Sequence, residues 1–483
     1  MAGVNMGKVF PIRLLGFGLY WAWLFLVTVS PSPLVFPRGF LGAPAETVEL
    51  AFRLLFVALL YLCYARVETP AGRTLLVAVA CLGGPAATAL ACLSLPDAVG
   101  LFALALQGAA DAALFVLWLC FFGHMKVGET AIYMALSYLI GGLLTMAVQG
   151  IGTEAAVATA VFLPAASGLM FVFSNKLNAQ TAGSEELFAA ADASVPGRES
   201  HSYLRRLAVA LGVAAFAFGS CSCGLYFGAV QSLASGVTIE SLCCLVLGAA
   251  CFATMRITRQ SQDLCTMYRA VPTLMTLGLV LSGAPHPAAS TAGVGLVMLG
   301  YLMFEITALN DFCIAAKAQR LPLVKTFCGA RLAITGGLLL GWVAYLAFDA
   351  LHATQPFAVS LGIALVAMAA THSVAFTAKE ISSAHKVAEA QEKIEAVQTR
   401  LDDAGLRARR LEAFARRHGL SAREAEIALH LIGGRNINYI AGQLVIAPGT
   451  VKTHVHNIYR KTGVRNKMEL LDAFEQEQQE PLG

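Results

Sequence analysis

The sequence predicts an all-α protein in which a polytopic transmembrane helix bundle of 6 + 6 spans is followed by a linker helix and a small four-helix domain. Charged residues make up only 13% of the 483 residues and hydrophobic residues 57%, whereas a soluble protein has about 25% charged residues. Of the 34 Lys and Arg residues, 16 lie in the last 105 positions. Composition therefore divides the chain near Lys379 into an apolar part and a polar part.

Twelve apolar stretches precede Lys379, and each approaches the length of about 20 residues that a membrane-spanning helix needs. We place them near residues 12–30, 46–65, 74–95, 98–122, 129–151, 154–174, 204–232, 236–255, 264–283, 290–312, 322–348 and 356–378. We expect the first stretch to be a span and not a removable signal peptide, because no small-residue cleavage site precedes a polar mature sequence.

Positive charge predicts the orientation of these spans, because cytoplasmic loops of membrane proteins collect Lys and Arg. With the N-terminus inside, sixteen Lys and Arg residues fall in inside segments, and Arg331 is counted among them. Arg38 alone falls in an outside loop, and Arg53 lies within a span. The sequence therefore predicts that both the N- and C-termini are cytoplasmic.

The longest interior loop, at about 175–203, divides the spans into two sets of six. This 6 + 6 arrangement resembles the major facilitator superfamily. That family has a Gly-Arg signature with acidic and basic residues in the loop after its second span. At this place the chain has only Glu68-Thr-Pro-Ala-Gly72-Arg73. This departure puts active transport in doubt.

Ionisable residues within spans are costly and are often functional. Arg53, Asp111 and Glu305, with Gln107 one turn before Asp111, are therefore candidates for lining a ligand cavity. The alternative is that they form structural polar contacts between helices. Glu49 and Arg53 have i, i+4 spacing, which also fits an ion pair on the helix surface near the outer face. Asp111 has no such local partner, so we expect it to point into the bundle.

The 12 cysteines all fall between Cys63 and Cys328, inside the apolar part. Their spacing does not match that of zinc ligands. We expect them to be small apolar side chains, with no metal site and no cofactor, and we expect no enzymatic activity.

Residues 379–417 form a charged, helix-favouring segment without proline. Apolar residues recur in it with a/d heptad spacing at Val387, Ile394, Leu401 and Ala408, and at Ala390, Val397, Ala404 and Leu411. The segment is either a weak coiled coil that pairs two protomers and relays movement, or a solvated spacer helix.

Signals that begin and end helices divide the tail from Leu420 into four short helices. They are a capping box of Ser421 and Glu424, a stop at Gly433-Gly434, a cap at Asn436, a first-turn proline at Pro448 and a stop at Gly463. In the third helix Val451, Val455 and Ile458 form a buried stripe. Its other face carries hydrogen-bond donors, namely Lys452, Thr453, His454, His456, Asn457, Arg460 and Lys461. Two short helices with a basic second helix predict a helix-turn-helix.

The tail resembles the LuxR-type DNA-binding domain. The resemblance rests on Arg423-Glu424-x-Glu426-Ile427, on Ile440-Ala441, on Thr450-Val451-Lys452-Thr453-His454-Val455-x-Asn457-Ile458-Tyr459, and on Lys461, Gly463 and Val464. It implies that Lys452, Thr453 and His456 face base edges in the major groove, and that Thr450, Asn457 and Lys461 lie nearer the phosphates, with Arg460 on the same face. Departures from the family pattern are Ala447 at the usual Ser or Thr cap, Ala428 and Thr462. For His454 we expect a packed or capping role.

The whole chain is similar to a group of membrane-embedded LuxR-type regulators, which implies a multi-pass protein of the bacterial inner membrane. The predicted domains are a sensor-like bundle at 1–378, the linker at 379–417, the DNA-binding domain at 418–475 and a polar tail at 476–483. The leading hypothesis is a one-component regulator that binds promoter DNA and an unknown small-molecule inducer, contacts membrane lipid, and forms a homodimer on DNA. The alternatives are a transporter with a regulatory tail and a membrane anchor for a constitutive DNA binder.

Overall fold

The computed structural model describes most of the chain outside the segment 351–409. The described residues are 16–28, 44–93, 96–125, 127–151, 153–182, 198–227, 242–251, 264–284, 286–318, 321–350 and 410–476. Two compact units, Met1–Glu389 and Ala390–Gly483, make up the chain. The twelfth expected span, at 356–378, and nearly all of the expected linker helix lie outside the described residues.

Helices account for nearly all of the described part of the first unit. They are α1 (Gly16–Thr28), α2 (Ala45–Leu62), α3 (Pro70–Ala91, with a π-helical stretch at Val79–Gly83), α4 (Asp97–Gly123), α5 (Val127–Gln149), α6 (Thr153–Ala182), α7 (Arg198–Phe227), α8 (Leu242–Cys251), α9 (Leu264–Ser282), α10 (Pro287–Ala318) and α11 (Leu323–Ala350). A short helix, Tyr64–Val67, follows α2. Each helix from α1 to α11 coincides with one of the expected spans.

Seven of the described helices are long and apolar enough to cross a membrane, namely α3 to α7, α10 and α11. Shorter apolar helices occur in α1, α8 and α9. The helix α2 is not among the seven because it carries three charged residues, Glu46, Glu49 and Arg53, among its 18 residues. The predicted membrane bundle is therefore present.

The outer surface of this bundle is apolar. Leu62, Leu82 and Phe162 are 76%, 72% and 68% exposed. Soluble proteins rarely expose apolar residues in such number, whereas hydrocarbon is a favourable surrounding for them. Helices satisfy their own backbone hydrogen bonds, so they are also the structure that a bilayer permits.

The helices pack as two sets. In the first set α1 packs against α5 and α6, and α2 packs against α4. In the second set α7 packs against α11 and α9 against α10. Contacts of α2 and α4 with α11, and of α5 with α10, join the two sets. Since α4 and α10 are the most enclosed spans, polar residues in their middle turns are held away from lipid.

The described part of the second unit contains the expected four helices and a helical segment at 410–417. The four are α12 (Ala422–Ile432), α13 (Ile437–Leu444), α14 (Pro448–Thr462) and α15 (Lys467–Gln476). Their apolar faces form a separate core around Ile427, Ile440 and Ile458. Phe414, from the segment 410–417, belongs to this core and its ring lies 5.6 Å from that of Phe474.

The helix ends of this unit follow the signals in the sequence. Ser421 Oγ accepts the Glu424 backbone N–H and the Glu424 carboxylate accepts the Ser421 N–H, so the capping box is confirmed. Asn436 Oδ1 accepts the Tyr439 N–H at 2.8 Å. Gly434 and Gly463 have positive φ angles of 83° and 73°, a conformation that glycine adopts without steric cost.

Candidate nucleic-acid interface and buried polar site

The polar face of α14 points away from the core of the second unit. Val451, Val455 and Ile458 are buried. The residues that the resemblance assigns to DNA are exposed at Thr450, Lys452, Thr453, His456, Arg460 and Lys461, and partly exposed at Asn457. Amphipathic spacing therefore separates the packing residues of this helix from its hydrogen-bond donors.

Lys461 differs from the other basic residues of α14 because its ammonium group is already bound. Lys461 Nζ donates to Glu424 Oε2 at 2.6 Å and to the Gly419 carbonyl at 2.9 Å. Burial raises the pKa of Glu424, but its bonds with Lys461 and the Ser421 N–H outweigh this, so the pKa lies below its usual value. In this geometry Lys461 ties α14 to α12.

Arg423 has a comparable packing role, which the sequence did not indicate. One arm of its guanidinium pairs with Glu426 at 2.6 Å, and the other donates to the Leu444 carbonyl at 2.9 Å. The second contact holds the end of α13 against α12. His454 is half-buried, which agrees with its expected packed position.

Asp111, in the middle of α4, is fully buried and joins residues from three helices. Arg331 Nη2, from α11, lies 2.6 Å from Asp111 Oδ2. Arg53 Nε, from α2, lies 3.1 Å from the same oxygen. Tyr20, from α1, donates its hydroxyl to Asp111 Oδ1 at 2.8 Å and accepts from Arg331 Nη2 at 2.9 Å. The expectation that Asp111 points into the bundle is confirmed.

Arg53 also pairs with Glu49, as its spacing predicted, with a closest approach of 2.8 Å. The expected surface position of this pair is wrong, because both side chains are 3% exposed. Gly108 explains the close approach of α2 to α4: a Cβ there would lie 2.7 Å from the Arg53 backbone nitrogen. We call Glu49, Arg53, Asp111 and Arg331 the ion-pair network.

The assignment of Arg331 to a cytoplasmic segment is wrong. Its side chain is 1% exposed, and its guanidinium lies 4.2 Å above the ring of Phe115. The sequence contained a signal that the charge count overlooked, since Arg331 lies within the apolar stretch 322–348. It could not show that the partner was Asp111, because the two residues are 220 positions apart.

Glu305, in α10, is also buried, and its carboxylate accepts hydrogen bonds from two tyrosines. Tyr138, from α5, donates to Oε2 at 2.9 Å, and Tyr301, one turn earlier in α10, donates to Oε1 at 3.2 Å. Trp21 packs on Tyr138 with ring centroids 4.4 Å apart. The sequence did not indicate these aromatic residues as neighbours of Glu305, because tyrosine and tryptophan are common in membrane helices as anchors or packing residues.

Gln107 is buried one turn before Asp111 on α4. Its Oε1 has no hydrogen-bond partner among the described residues, and the same holds for Arg331 Nε and Trp21 Nε1. Buried polar atoms are nearly always satisfied by protein, water or ligand. The four candidate residues Arg53, Gln107, Asp111 and Glu305 therefore all face the protein interior, and polar atoms among them and their neighbours are open to a further partner.

Comparison with known proteins identifies the second unit by sequence. Residues 418–474 match the family model described as bacterial regulatory proteins, luxR family. The chain is 48% identical over 48 residues to the probable transcriptional regulatory protein NarL of Mycobacterium tuberculosis, in strains CDC 1551 / Oshkosh and ATCC 25618 / H37Rv. The match covers 10% of this chain and 22% of those proteins, so the chain spans about a fifth of the length of the curated relatives it matches.

The first unit is related to known structures by its fold. The human organic anion transporter MFSD10 (TETRAN) aligns with a TM-score of 0.55 and 14% identity, covering 74% of this chain and 98% of the transporter. A bacterial homologue of the iron transporter ferroportin, in the outward-facing state, aligns with a TM-score of 0.52 and 14% identity, covering 77% and 97%. Identity at this level shows a shared fold only. This chain thus joins a unit that has the fold of these two transporters, with seven helices long and apolar enough to cross a membrane, to a luxR-family DNA-binding domain.

Proposed function

We propose that this protein is a membrane-bound one-component transcriptional regulator. Its bundle lies in a bacterial inner membrane and senses a small molecule. The N-terminus and the helix-turn-helix are both on the cytoplasmic side. The helix-turn-helix binds promoter DNA as a homodimer. It acts by binding and not as an enzyme. The observation that carries the proposal is the exposed basic face of α14 in a chain whose other unit encloses a charged polar site.

The position of the polar site supports the sensing role. The ion-pair network joins α2 and α4 of the first helix set to α11 of the second, and Glu305 is joined to Tyr138 across the same boundary. If the two helix sets can adopt two relative arrangements, a ligand that alters these contacts would bind one arrangement more tightly than the other. A difference in affinity of this kind shifts a conformational equilibrium. The shifted equilibrium would then change how the DNA-binding domains are presented.

The output end is tested with a reporter gene and a matched pair of variants. Lys452→Ala removes an exposed donor from α14, and we expect it to abolish regulation. Arg416→Ala removes the same charge from the exposed side of the segment 410–417, and we expect regulation to persist. Unchanged regulation by the Lys452 variant at normal protein level would refute the assigned recognition face.

DNA binding itself is measured by the salt dependence of affinity. Each phosphate contact contributes about −0.9 to the slope of log affinity against log salt concentration. We expect a steep slope for the wild type and a shallower one for Arg460→Ala. We expect Lys461→Ala to lower mainly the stability of the domain, because Glu424 and Gly419 hold its ammonium group.

The second candidate function is a transporter whose tail regulates transcription, which the transporter fold of the first unit favours. Uptake into vesicles separates the two functions, because a sensor binds its inducer without net flux. A third possibility is that the bundle only anchors a constitutive DNA binder. In that case the free segment 379–483 would regulate the reporter in the same way as the full chain.

A further inference from the structure

The buried charges around Asp111 and Glu305 do not balance among the described residues. In the ion-pair network Glu49 and Asp111 are matched by Arg53 and Arg331. Glu305 adds a further acidic group that is 2% exposed. Among the described residues, no Lys or Arg nitrogen lies within 4.0 Å of its carboxylate. The network together with Glu305 therefore carries one excess negative charge when the carboxyl is ionised.

The surroundings of Glu305 are aromatic. Tyr138 and Tyr301 hold its two oxygens, Trp21 packs on Tyr138, and Phe218 stacks on Tyr301 with centroids 4.7 Å apart. Ring faces attract cations, and the attraction is stronger when the site is shielded from water. We call Glu305 and these four rings the Glu305 site.

A second observation points to a missing partner at this place. Trp21 is 3% exposed, and its indole Nε1 has no hydrogen-bond partner among the described residues. The Glu305 site therefore combines a carboxylate, four aromatic rings and one indole N–H that has no partner among the described residues. Glu49 and Asp111 already match the charges of Arg53 and Arg331, so the uncompensated charge at this place is the negative charge of Glu305, which favours a cation over an anion.

We infer that the Glu305 site binds an organic cation, namely an ammonium group on an aromatic body. The ammonium pairs with the Glu305 carboxylate in place of a tyrosine hydroxyl, and the body lies against Trp21 and the tyrosine rings. The consequence for transcription rests on the proposed function. Since Tyr138 belongs to the first helix set and Glu305 to the second, exchange of the tyrosine bond for a ligand bond alters a contact between the sets.

The test uses the purified full-length protein and its thermal unfolding midpoint in detergent. The probes are phenylalkyl ammonium ions with chains of two to four carbons, each paired with the alcohol and the carboxylate of the same body. We expect at least one ammonium ion to raise the midpoint in a concentration-dependent manner, and its alcohol and carboxylate partners to have much smaller effects. The inference is overturned if no ammonium ion exceeds its alcohol, or if a carboxylate is preferred.

Matched variants assign the effect to Glu305. Glu305→Gln should weaken ammonium binding at least about tenfold, a factor that corresponds to ~1.4 kcal/mol. Glu154→Gln, at an exposed position in the first turn of α6, should bind like the wild type. Equal binding by the Glu305→Gln and wild-type proteins would contradict the inference. If Glu305→Gln shows no cooperative unfolding transition, Glu305→Asp is tested in its place. A larger midpoint shift with the ammonium ion than with its alcohol supports the site. Equal midpoint shifts with the ammonium ion and the alcohol overturn the inference.

A reporter assay separates this inference from the proposed function. Ammonium binding that depends on Glu305 but causes no reporter response would support the Glu305 site and contradict the proposed sensing role. The reporter could instead respond to an uncharged inducer, and to the same extent in Glu305→Gln and wild-type cells. That result would support the proposed regulator and contradict the cation site.

Discussion

Arg331 Nη2 and Asp111 Oδ2 lie 2.6 Å apart in the interior of the bundle, although 220 residues separate them in the chain. Arg331 belongs to α11 and Asp111 to α4, so this ion pair joins the two helix sets. Bringing charges out of water is costly unless each charge is compensated nearby. The contact between the two helix sets therefore depends on the mutual compensation of these two charges.

Removing one partner of this pair should destabilise the bundle strongly. In Asp111→Asn, Arg53 keeps Glu49, but Arg331 loses its only acidic partner among the described residues. We expect a loss of about 3–5 kcal/mol, as for other broken buried pairs, measured as a lower unfolding midpoint of the full-length protein. Asp97→Asn, at the exposed start of the same helix, is the control and should have little effect.

The double variant Asp111→Asn with Arg331→Met tests whether the loss arises from the unpaired charge. It removes both charges and should recover part of the stability, which a double-mutant cycle measures as coupling. Additive losses would show that the two residues act independently.

Val445 should be replaceable with a gain in stability. It ends α13 with a φ of 52°, in the left-handed region, and its side chain is 88% exposed. This conformation costs an L-residue with a β-carbon about 1–2 kcal/mol, and little packing is lost on replacement. We expect Val445→Gly and Val445→Asn to raise the denaturant midpoint of the segment 390–483. Val445→Ile, which keeps the β-branch, should give no gain.

Ala447 should also be improvable, by an independent mechanism. It occupies the N-cap of α14 and makes no side-chain cap bond. Ser at this position can accept a backbone N–H of the first turn, which stabilises a helix by about 1 kcal/mol. The measurement is again the denaturant midpoint of the segment 390–483, with Ala447→Val as a control that adds volume without an acceptor. A serine variant no more stable than the valine variant would argue against this cap.

The bond between Glu424 and Lys461 predicts how stability depends on pH. Because the pKa of Glu424 in the folded domain lies below its usual value, the folded state favours the ionised form. The stabilisation is complete above the unfolded pKa and is lost as pH falls through the lower folded pKa. We expect the denaturant midpoint to drop as pH falls from about 5 to 3, and Glu424→Gln to be less stable at pH 7 and less sensitive to acid. A variant with the wild-type pH profile would exclude this bond as the cause.

Local patterns in the sequence were sufficient for much of the fold. Apolar runs predicted the helices from α1 to α11, since a bilayer accepts only long apolar helices at these positions. Ser421, Asn436 and Gly463 marked helix ends because a cap or a left-handed turn involves only residues close in sequence. The polar face of α14 followed from the 3.6-residue period of a single helix.

Only the tertiary structure decided how the polar residues of the bundle are paired. Arg331 was misassigned to a loop, and Tyr138 and Tyr301 were not recognised as partners of Glu305. Lys461 was expected near phosphates, yet it binds Glu424 of another helix in the structure. The physical reason is the same in each case. Periodicity and capping depend on near neighbours in the chain, whereas an ion pair or hydrogen bond between helices depends on which helix faces meet, and that is set by the packing of the whole bundle or domain.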